Sequence, residues 1–221
     1  DVSDEVIDAM HKHYWENVLH KKEERIITKQ PHLSNKLKYV LGIFPDAKFI
    51  HIVRDCQPVV ASWVALMNEH PSLSVYWPND EFPCFWLMPK PETKAAVNNL
   101  SRHKRFFPGG GSELWIDYWC KVNLGIEKQM QSNLSQLLVI RYEDLISSPE
   151  KVLKTVNDFC EISYFDFDTS HFQLNAEKKH SNRLTPALLN EIQTQSKKVR
   201  EKFAYLPVSG NLKSAKNLYL P

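Results

Sequence analysis

The sequence predicts an α/β fold in which helices flank a parallel sheet. Two short runs, residues 48–53 and 137–140, are almost entirely apolar and rich in β-branched side chains, and a helical pattern follows each of them. Strands that are buried on both faces of a parallel sheet have this continuous apolar character. A third short run, residues 25–28, is also predicted to be a strand. Strands that alternate with helices in this way are typical of α/β domains.

The length and composition suit one globular domain. The chain has 221 residues, 43% of them hydrophobic and 24% charged, so we expect residues 1–221 to form a single domain with a substantial core. A net charge of +2 gives no overall footprint for nucleic acid, which means that any basic site is local. No run approaches the roughly 18 apolar residues of a membrane span. The four cysteines are dispersed and form no metal-binding pattern, so no metal is expected.

The first part of the chain is predicted to contain two helices. Over residues 1–20, Val6, Met10 and Tyr14 recur at helical spacing. The strand over residues 25–28 comes next. A second amphipathic helix is predicted over residues 32–44, and Pro45 ends it because proline cannot continue a helix.

The strand at residues 48–53 stops abruptly at Arg54 and Asp55. Pro58 suits the first turn of a helix that we predict over residues 58–68, and Ser62 lies about one turn into it. Ligands in open α/β sheets bind beyond the carboxyl ends of strands, often as anions at helix N-termini. A guanidinium and a hydroxyl placed there suit a phosphate group. The alternative is an ion pair between Arg54 and Asp55 that caps the strand, with Ser62 as a small packing residue.

Residues 71–111 differ in composition from the rest of the chain. They are rich in proline and aromatic residues and show no sustained period. A long irregular segment in a compact chain is usually functional or disordered, and the aromatic content argues against disorder. We predict an irregular segment that covers the site and shapes an acceptor pocket. A packed connection without a ligand role is the alternative.

The second half of the chain continues the α/β pattern. A helix with a broad apolar face is predicted over residues 113–131, and the strand at residues 137–140 follows it. Ser148 and Pro149 then open a helix that closes near Cys160, by the preference for serine at the cap and proline at the first position. Residues 161–175 are predicted to be a loop, and a final helix is predicted over residues 186–203.

Several of these segments together resemble the PAPS-dependent sulfotransferases, where PAPS is 3′-phosphoadenosine 5′-phosphosulfate. The pattern K-x-P begins at Lys29, L-x-x-F-P-x-A-K-F-I-x-x-V-R-D runs from Leu41 to Asp55, and a serine stands eight residues after Arg54. This order is similar to the branch that contains the tyrosylprotein sulfotransferases and their bacterial relatives. The unit R-Y-E-D-L followed by S-x-P-E after the strand at residues 137–140 extends the resemblance to most of the chain. Cys56 departs from it, because the family usually has proline or glycine there.

The resemblance implies a fold like that of the P-loop nucleotide kinases and an activity on PAPS. The sulfuryl group would move to a hydroxyl or amine of a small-molecule, glycan or peptide acceptor, leaving 3′-phosphoadenosine 5′-phosphate (PAP). The alternative is a catalytically inactive sulfotransferase-like binding or scaffold module. A third hypothesis is a relative of the nucleotide kinases. The acceptor, the compartment and the oligomeric state are left open by the sequence.

By the same resemblance, Arg54 and Ser62 form the clamp for the 3′-phosphate. Lys29 matches the lysine that neutralises charge developing on the leaving phosphate, and a surface lysine after a strand is its alternative reading. His32 is the candidate base for the acceptor, although its offset from the lysine differs from that in cytosolic sulfotransferases. Its alternative reading is a role at a helix start or in packing.

Further cofactor contacts are implied later in the chain. Trp119 matches an aromatic residue close to the adenine pocket, with core packing as the alternative. Ser181 and Arg183 match phosphate contacts from a late loop, with a solvated basic turn as the alternative. The family's cradle for the 5′-phosphosulfate, a G-x-P-R-S-G-T-type segment, has no match in this sequence. We therefore expect the chain to be incomplete at its N-terminus.

Overall fold

The computed structural model describes residues 2–17, 25–70, 73–77, 86–89, 105–108, 112–163, 165–170, 172 and 181–206. In chain order, the helices and strands are α1 (Asp4–Asn17), α2 (Leu37–Ile43), β1 (Phe49–Val53), α3 (Cys56–Glu69), β2 (Leu73–Trp77), β3 (Trp86–Pro89), β4 (Arg105–Pro108), α4 (Ser112–Gln129), β5 (Leu137–Arg141), α5 (Tyr142–Ser147), α6 (Pro149–Cys160), α7 (Pro186–Gln195) and α8 (Lys197–Lys202). Short 3₁₀ helices span Pro31–Asn35, Leu134–Gln136 and Ser181–Arg183.

A parallel pair of strands, β1 and β5, confirms the predicted α/β class. Phe49 pairs with Leu137 and Val53 with Arg141, so the two strands run in register and end at the same edge. Both strands were predicted from their apolar runs. Because a parallel connection needs a long crossover, the chain passes through helices between the two strands.

Helix α4 is the centre of the hydrophobic core. Leu114, Trp115 and Ile116 are at most 2% exposed, and the ring of Trp115 stacks on that of Trp63 in α3 with centroids 4.2 Å apart. Side chains of β1, β5 and α7 belong to the same buried cluster. This core fixes α3 and α4 against the parallel strands, and so it fixes the edge at which both strands end.

The predicted strand at residues 25–28 is wrong. Residues 25–30 are irregular, and the side chains of Ile26 and Ile27 are 38% and 91% exposed. A strand is stabilised by pairing and by burial of one face, and this apolar dipeptide obtains neither in the described part of the chain. Lys29 therefore does not follow a strand end.

The predicted helix over residues 32–44 is interrupted. Its first part is the 3₁₀ helix Pro31–Asn35, and α2 begins only at Leu37. The side chain of Gln129 in α4 accepts a hydrogen bond from Leu37 N–H and donates one to the carbonyl oxygen of Ser34, each at 2.9 Å. These bonds replace helical ones at the break, which is why the chain can change its winding there.

The predicted final helix is also divided, into α7 and α8. Ser196 stands between them, is fully buried, and donates its hydroxyl to the carbonyl oxygen of Ile192. A serine that bonds back to the preceding turn competes with the backbone ladder and bends a helix. The prediction over residues 186–203 is therefore correct in extent but misses the bend.

Residues 71–111, predicted to be irregular, contain three short strands within their described part. A three-stranded antiparallel sheet has the order β3–β2–β4, and Val75 in β2 pairs with Leu87 on one side and Phe107 on the other. Strands of four or five residues are too short to show a clear period in a sequence. The covering role of this segment stays a prediction, and residues 71–72, 78–85, 90–104 and 109–111 lie outside the described residues.

The described residues contain neither a membrane-spanning helix nor a cluster of metal-binding side chains. None of the helices in this part of the chain combines the length and the apolar character that crossing a membrane requires. Within the same residues, no three His, Cys, Asp or Glu side chains lie together as metal ligands would.

Candidate functional site

The candidate site lies at the edge of the parallel sheet where β1 and β5 both end. Because Val53 pairs with Arg141, the residues that follow them, Arg54 and Tyr142, lie side by side. The guanidinium carbon of Arg54 is 4.7 Å from the centroid of the Tyr142 ring, a favourable cation–π contact. The half-buried Arg54 thus places a positive charge where ligands bind in open α/β sheets.

The backbone around Arg54 is held by side chains from distant parts of the chain. A strand that ends leaves carbonyl and amide groups without ladder partners, and here side chains supply them. The bonds join Tyr205 Oη to the Val53 carbonyl oxygen at 3.0 Å, Trp119 Nε1 to the Arg54 carbonyl oxygen at 2.9 Å, and Asp55 N–H to Glu143 Oε1 at 3.1 Å. The position of Arg54 is therefore determined by tertiary contacts rather than by the sheet alone.

The carboxylate of Asp55 is bound by Arg200 in α8. Arg200 Nε and Nη2 donate to its two oxygens at 2.7 and 2.9 Å, and Arg200 is only 7% exposed. Such a bidentate pair is a strong, oriented contact. The alternative reading, in which Asp55 pairs with Arg54 to cap the strand, does not describe this arrangement, because both oxygens face Arg200.

Glu143 joins the same network from the β5 side. Its Oε2 lies 2.7 Å from the hydroxyl of Tyr205, which shares its proton between this oxygen and the Val53 carbonyl oxygen. Burial, followed by the hydrogen bond to Glu143, raises the pKa of Tyr205 far above its ordinary value, so the hydroxyl stays protonated and remains a donor. Glu143 therefore has structural partners in Asp55 and Tyr205.

Ser62 lies on the exposed side of α3, the helix that begins directly after Arg54 and Asp55. The two predicted clamp residues thus belong to one continuous strand–helix unit. Ser62 is an exposed residue, as a phosphate contact requires. The clamp itself stays a prediction.

Lys29 and His32 belong to the segment that precedes α2. Lys29 is exposed within the irregular residues 25–30, so its predicted place at the carboxyl end of a strand is wrong. His32 stands in the 3₁₀ helix Pro31–Asn35, and its side chain lies outside the described part. Their catalytic roles stay predictions.

Trp119 is a core residue beside the predicted clamp. It is 4% exposed, and its indole N–H bonds the Arg54 carbonyl oxygen. This geometry matches the core-packing alternative and adds a link to Arg54 that the sequence did not suggest. Contact between Trp119 and adenine stays a prediction.

The basic turn near the C-terminal end of the described chain contacts α3. The 3₁₀ helix Ser181–Arg183 contacts α3, and Arg183 Nη1 lies 3.1 Å from Glu69 Oε1 at the end of that helix. The side chain of Ser181 and residues 178–180 lie outside the described part. Arg183 therefore comes close to the helix that carries Ser62, while its phosphate contact stays a prediction.

Cys56, the departure from the family pattern, is the first residue of α3 and is completely buried. Burial raises the pKa of its thiol to about 12. The thiol is therefore protonated at neutral pH and cannot act as a nucleophile. The Cys56 side chain belongs to the buried hydrophobic cluster.

Sequence reasoning missed Tyr142, Arg200 and Tyr205. The rule that pointed to Arg54 applies equally to Tyr142, because it directly follows the second parallel strand. No local signal marks Arg200 or Tyr205, whose partners Asp55 and Val53 are 145 and 152 residues away.

Comparison with known proteins gives consistent matches. A family model described as "Sulfotransferase domain" matches residues 6–204. The chain is 25% identical over 182 residues to omega-hydroxy-beta-dihydromenaquinone-9 sulfotransferase Stf3 of Mycobacterium bovis and of Mycobacterium tuberculosis. The match covers 74% of this chain, and the chain spans only 39% of the length of each relative. A solved "Sulfotransferase Domain from the Curacin Biosynthetic Pathway" aligns with a TM-score of 0.49 and 18% identity, covering 94% of this chain and 64% of that one.

Proposed function

This chain belongs to the sulfotransferase domain family, and we propose that its protein moves a sulfuryl group from PAPS to a hydroxyl or amine acceptor. The observation that carries the proposal is Arg54 at the common end of two parallel strands, oriented over Tyr142. PAPS differs from most nucleotides in its 3′-phosphate, and a fixed guanidinium is suited to such a group.

The residues at this edge fit an anionic nucleotide. Arg54 and the N-terminus of the 14-residue helix α3 contribute positive electrostatic potential at one place, and Ser62 contributes an exposed hydroxyl on the same helix. We assign the 3′-phosphate to Arg54 and Ser62. Ser181 and Arg183 would add contacts from the late turn, and Trp119 would act near the adenine.

Sulfuryl transfer depends on positioning and charge stabilisation, as phosphoryl transfer does. His32 would accept the proton of the acceptor hydroxyl as the new bond between that oxygen and sulfur forms. The bond from sulfur to the 5′-phosphate oxygen breaks, and its electron pair stays on the phosphate as PAP leaves. Lys29 would neutralise the charge that develops on that oxygen.

We expect the acceptor to carry a hydroxyl group. The mycobacterial relatives are named for a hydroxylated compound. That naming supports a hydroxyl acceptor for this chain ahead of an amine, and a small molecule, a glycan or a peptide could each supply it.

Calorimetric binding of PAP and of AMP tests the clamp, because the two ligands differ only in the 3′-phosphate. The chain is expected to prefer PAP, and Arg54→Ala should remove the preference by weakening PAP binding about ten- to a hundred-fold. Ser62→Ala should weaken PAP by less, as the loss of a neutral hydrogen bond. Lys154→Ala is the matched control, because it removes one positive charge from an exposed pair in α6.

The outcomes separate the readings. Equal affinity of the wild type for PAP and AMP would refute the clamp. A PAP preference that survives in Arg54→Ala would place the 3′-phosphate elsewhere. A preference lost in Arg54→Ala and kept in Lys154→Ala supports the assignment and justifies a screen of hydroxyl acceptors for transfer.

A further inference from the structure

The C-terminal segment of the described chain is tied to both strand ends at the candidate site. Arg200 binds Asp55 after β1, and the Tyr205 hydroxyl reaches the Val53 carbonyl oxygen and Glu143. Arg141 at the end of β5 donates to the carbonyl oxygen of Ala204 at 3.0 Å. Two of these bonds join residues that are 145 and 152 positions apart in the sequence, and they hold Asp55 and Val53, the two neighbours of Arg54.

Asp55 occupies the N-cap position of α3 but makes no capping hydrogen bond with that helix. An aspartate at this position normally accepts a bond from the N–H of the second or third helical residue. Of these two residues only Gln57 has an N–H, because the other is Pro58. Here its two oxygens face Arg200 instead, at 2.7 and 2.9 Å. The pair with Arg200 therefore directs a negative charge away from the helix N-terminus, which is where an anionic ligand would lie.

We propose that Arg200 is a positioning residue for the nucleotide 3′-phosphate. It keeps the Asp55 carboxylate off the N-terminus of α3 and, with Tyr205, fixes the strand end that carries Arg54. This inference rests on the proposed function of Arg54 and assigns a role to a helix that sequence reasoning left without one.

Removal of Arg200 has two consequences in this arrangement. The Asp55 carboxylate becomes free to turn toward the N–H of Gln57 in the first turn of α3, where its negative charge opposes that of the ligand phosphate. Arg54 also loses an anchor on the residue next to it. Both effects weaken binding of a 3′-phosphorylated nucleotide more than binding of AMP.

The decisive experiment compares Arg200→Gln with the double variant that adds Asp55→Asn. Arg200→Gln is expected to lower the ratio of PAP affinity to AMP affinity about tenfold. The added Asp55→Asn removes the competing charge and is expected to bring the ratio back to within about threefold of wild type. A purely structural role for Arg200 predicts no such recovery.

Two further variants keep the test informative if Arg200→Gln folds poorly. Arg200→Lys keeps the charge but not the two-pronged contact, so an intermediate ratio is expected. Val199→Ala is the matched control: Val199 is the adjacent, 5% exposed residue of α8, and its truncation lowers the melting temperature without touching Asp55. Its affinity ratio should equal that of wild type.

The results distinguish this inference from the proposed function. If the wild type does not prefer PAP, the clamp and the positioning role both fail. If the wild type prefers PAP while Arg200→Gln lowers only the melting temperature, as Val199→Ala does, the positioning role alone is overturned. A double variant as weak as Arg200→Gln would overturn the competition by Asp55.

Discussion

His51, in the middle of β1, makes the stability of the fold depend on pH. Its Nε2 lies 2.9 Å from Asn123 Oδ1, and Asn123 Nδ2 donates to the carbonyl oxygen of Trp119 at 2.6 Å. The amide of Asn123 is thereby oriented with its oxygen toward His51, which donates from Nε2 as a neutral ring. Burial lowers the pKa of His51 from 6.5 to about 4, more than the bond to Asn123 raises it.

The sign of the effect follows from proton binding. Between pH 6.5 and about 4 the unfolded chain binds a proton on His51 and the folded chain does not. The free energy of unfolding therefore falls as the pH decreases through this window, and the contribution is fully present only above the unfolded pKa. A shift of this size corresponds to about 3 kcal/mol over the whole window, and to about 2 kcal/mol between about pH 7 and about pH 5.

Urea unfolding of the wild type and of His51→Gln at these two pH values measures the effect. Glutamine is neutral at both and keeps an N–H donor for Asn123, so it removes the titration with little other change. The stability difference between the two proteins should shrink by about 2 kcal/mol at the lower pH. His70→Gln, at the exposed end of α3, is the control and should follow the wild type. Parallel pH curves for wild type and His51→Gln would refute the reasoning.

The remaining predictions concern the break before α2 and the late basic turn. Gln129→Ala leaves Leu37 N–H without its partner and should lower the free energy of unfolding by about 1–3 kcal/mol in urea, with exposed Gln131→Ala as a near-neutral control. Arg183→Gln should weaken PAP binding about tenfold in calorimetry, whereas Glu69→Gln should not, because only the arginine can contact a phosphate. Both changes to the exposed Arg183–Glu69 pair should leave the melting temperature almost unchanged.

Contrary results would be informative in each case. If Gln129→Ala were as stable as Gln131→Ala, water would replace the side chain at the break at little cost. If Arg183→Gln and Glu69→Gln weakened PAP equally, the ion pair would support the local fold without a direct phosphate contact. Tighter PAP binding in Glu69→Gln would mean that Glu69 competes with the ligand for Arg183.

Much of the fold could be predicted because its signals are local. The apolar runs of β1 and β5 and the helical spacing of α3, α4 and α6 are properties of short windows, and the structure confirms them. Most of the wrong predictions fall where residues distant in the sequence determine the local structure. Residues 25–28 are also partly apolar but lack a pairing strand in the described chain, and the break near residue 36 depends on bonds from Gln129, which is 92 residues from Leu37. The bend near residue 196 is the exception, because it accompanies a local bond from the buried Ser196 to Ile192.

The candidate site likewise contains a residue that could be predicted from the sequence and supporting residues that could not. A residue that follows a buried strand can be identified from the sequence, which is how Arg54 was found. The end of that strand also leaves backbone groups at Val53 and Asp55 that need partners inside the protein. A sequence shows that such partners must exist but not which side chains they are. Tyr205, with its partner 152 residues away, is specified only when the C-terminal segment packs beside the sheet. The residues that hold a site in place are therefore harder to predict from the sequence than the residue that forms it. Arg200 and Tyr205 are such residues, and only the structure identifies them as supports of Arg54.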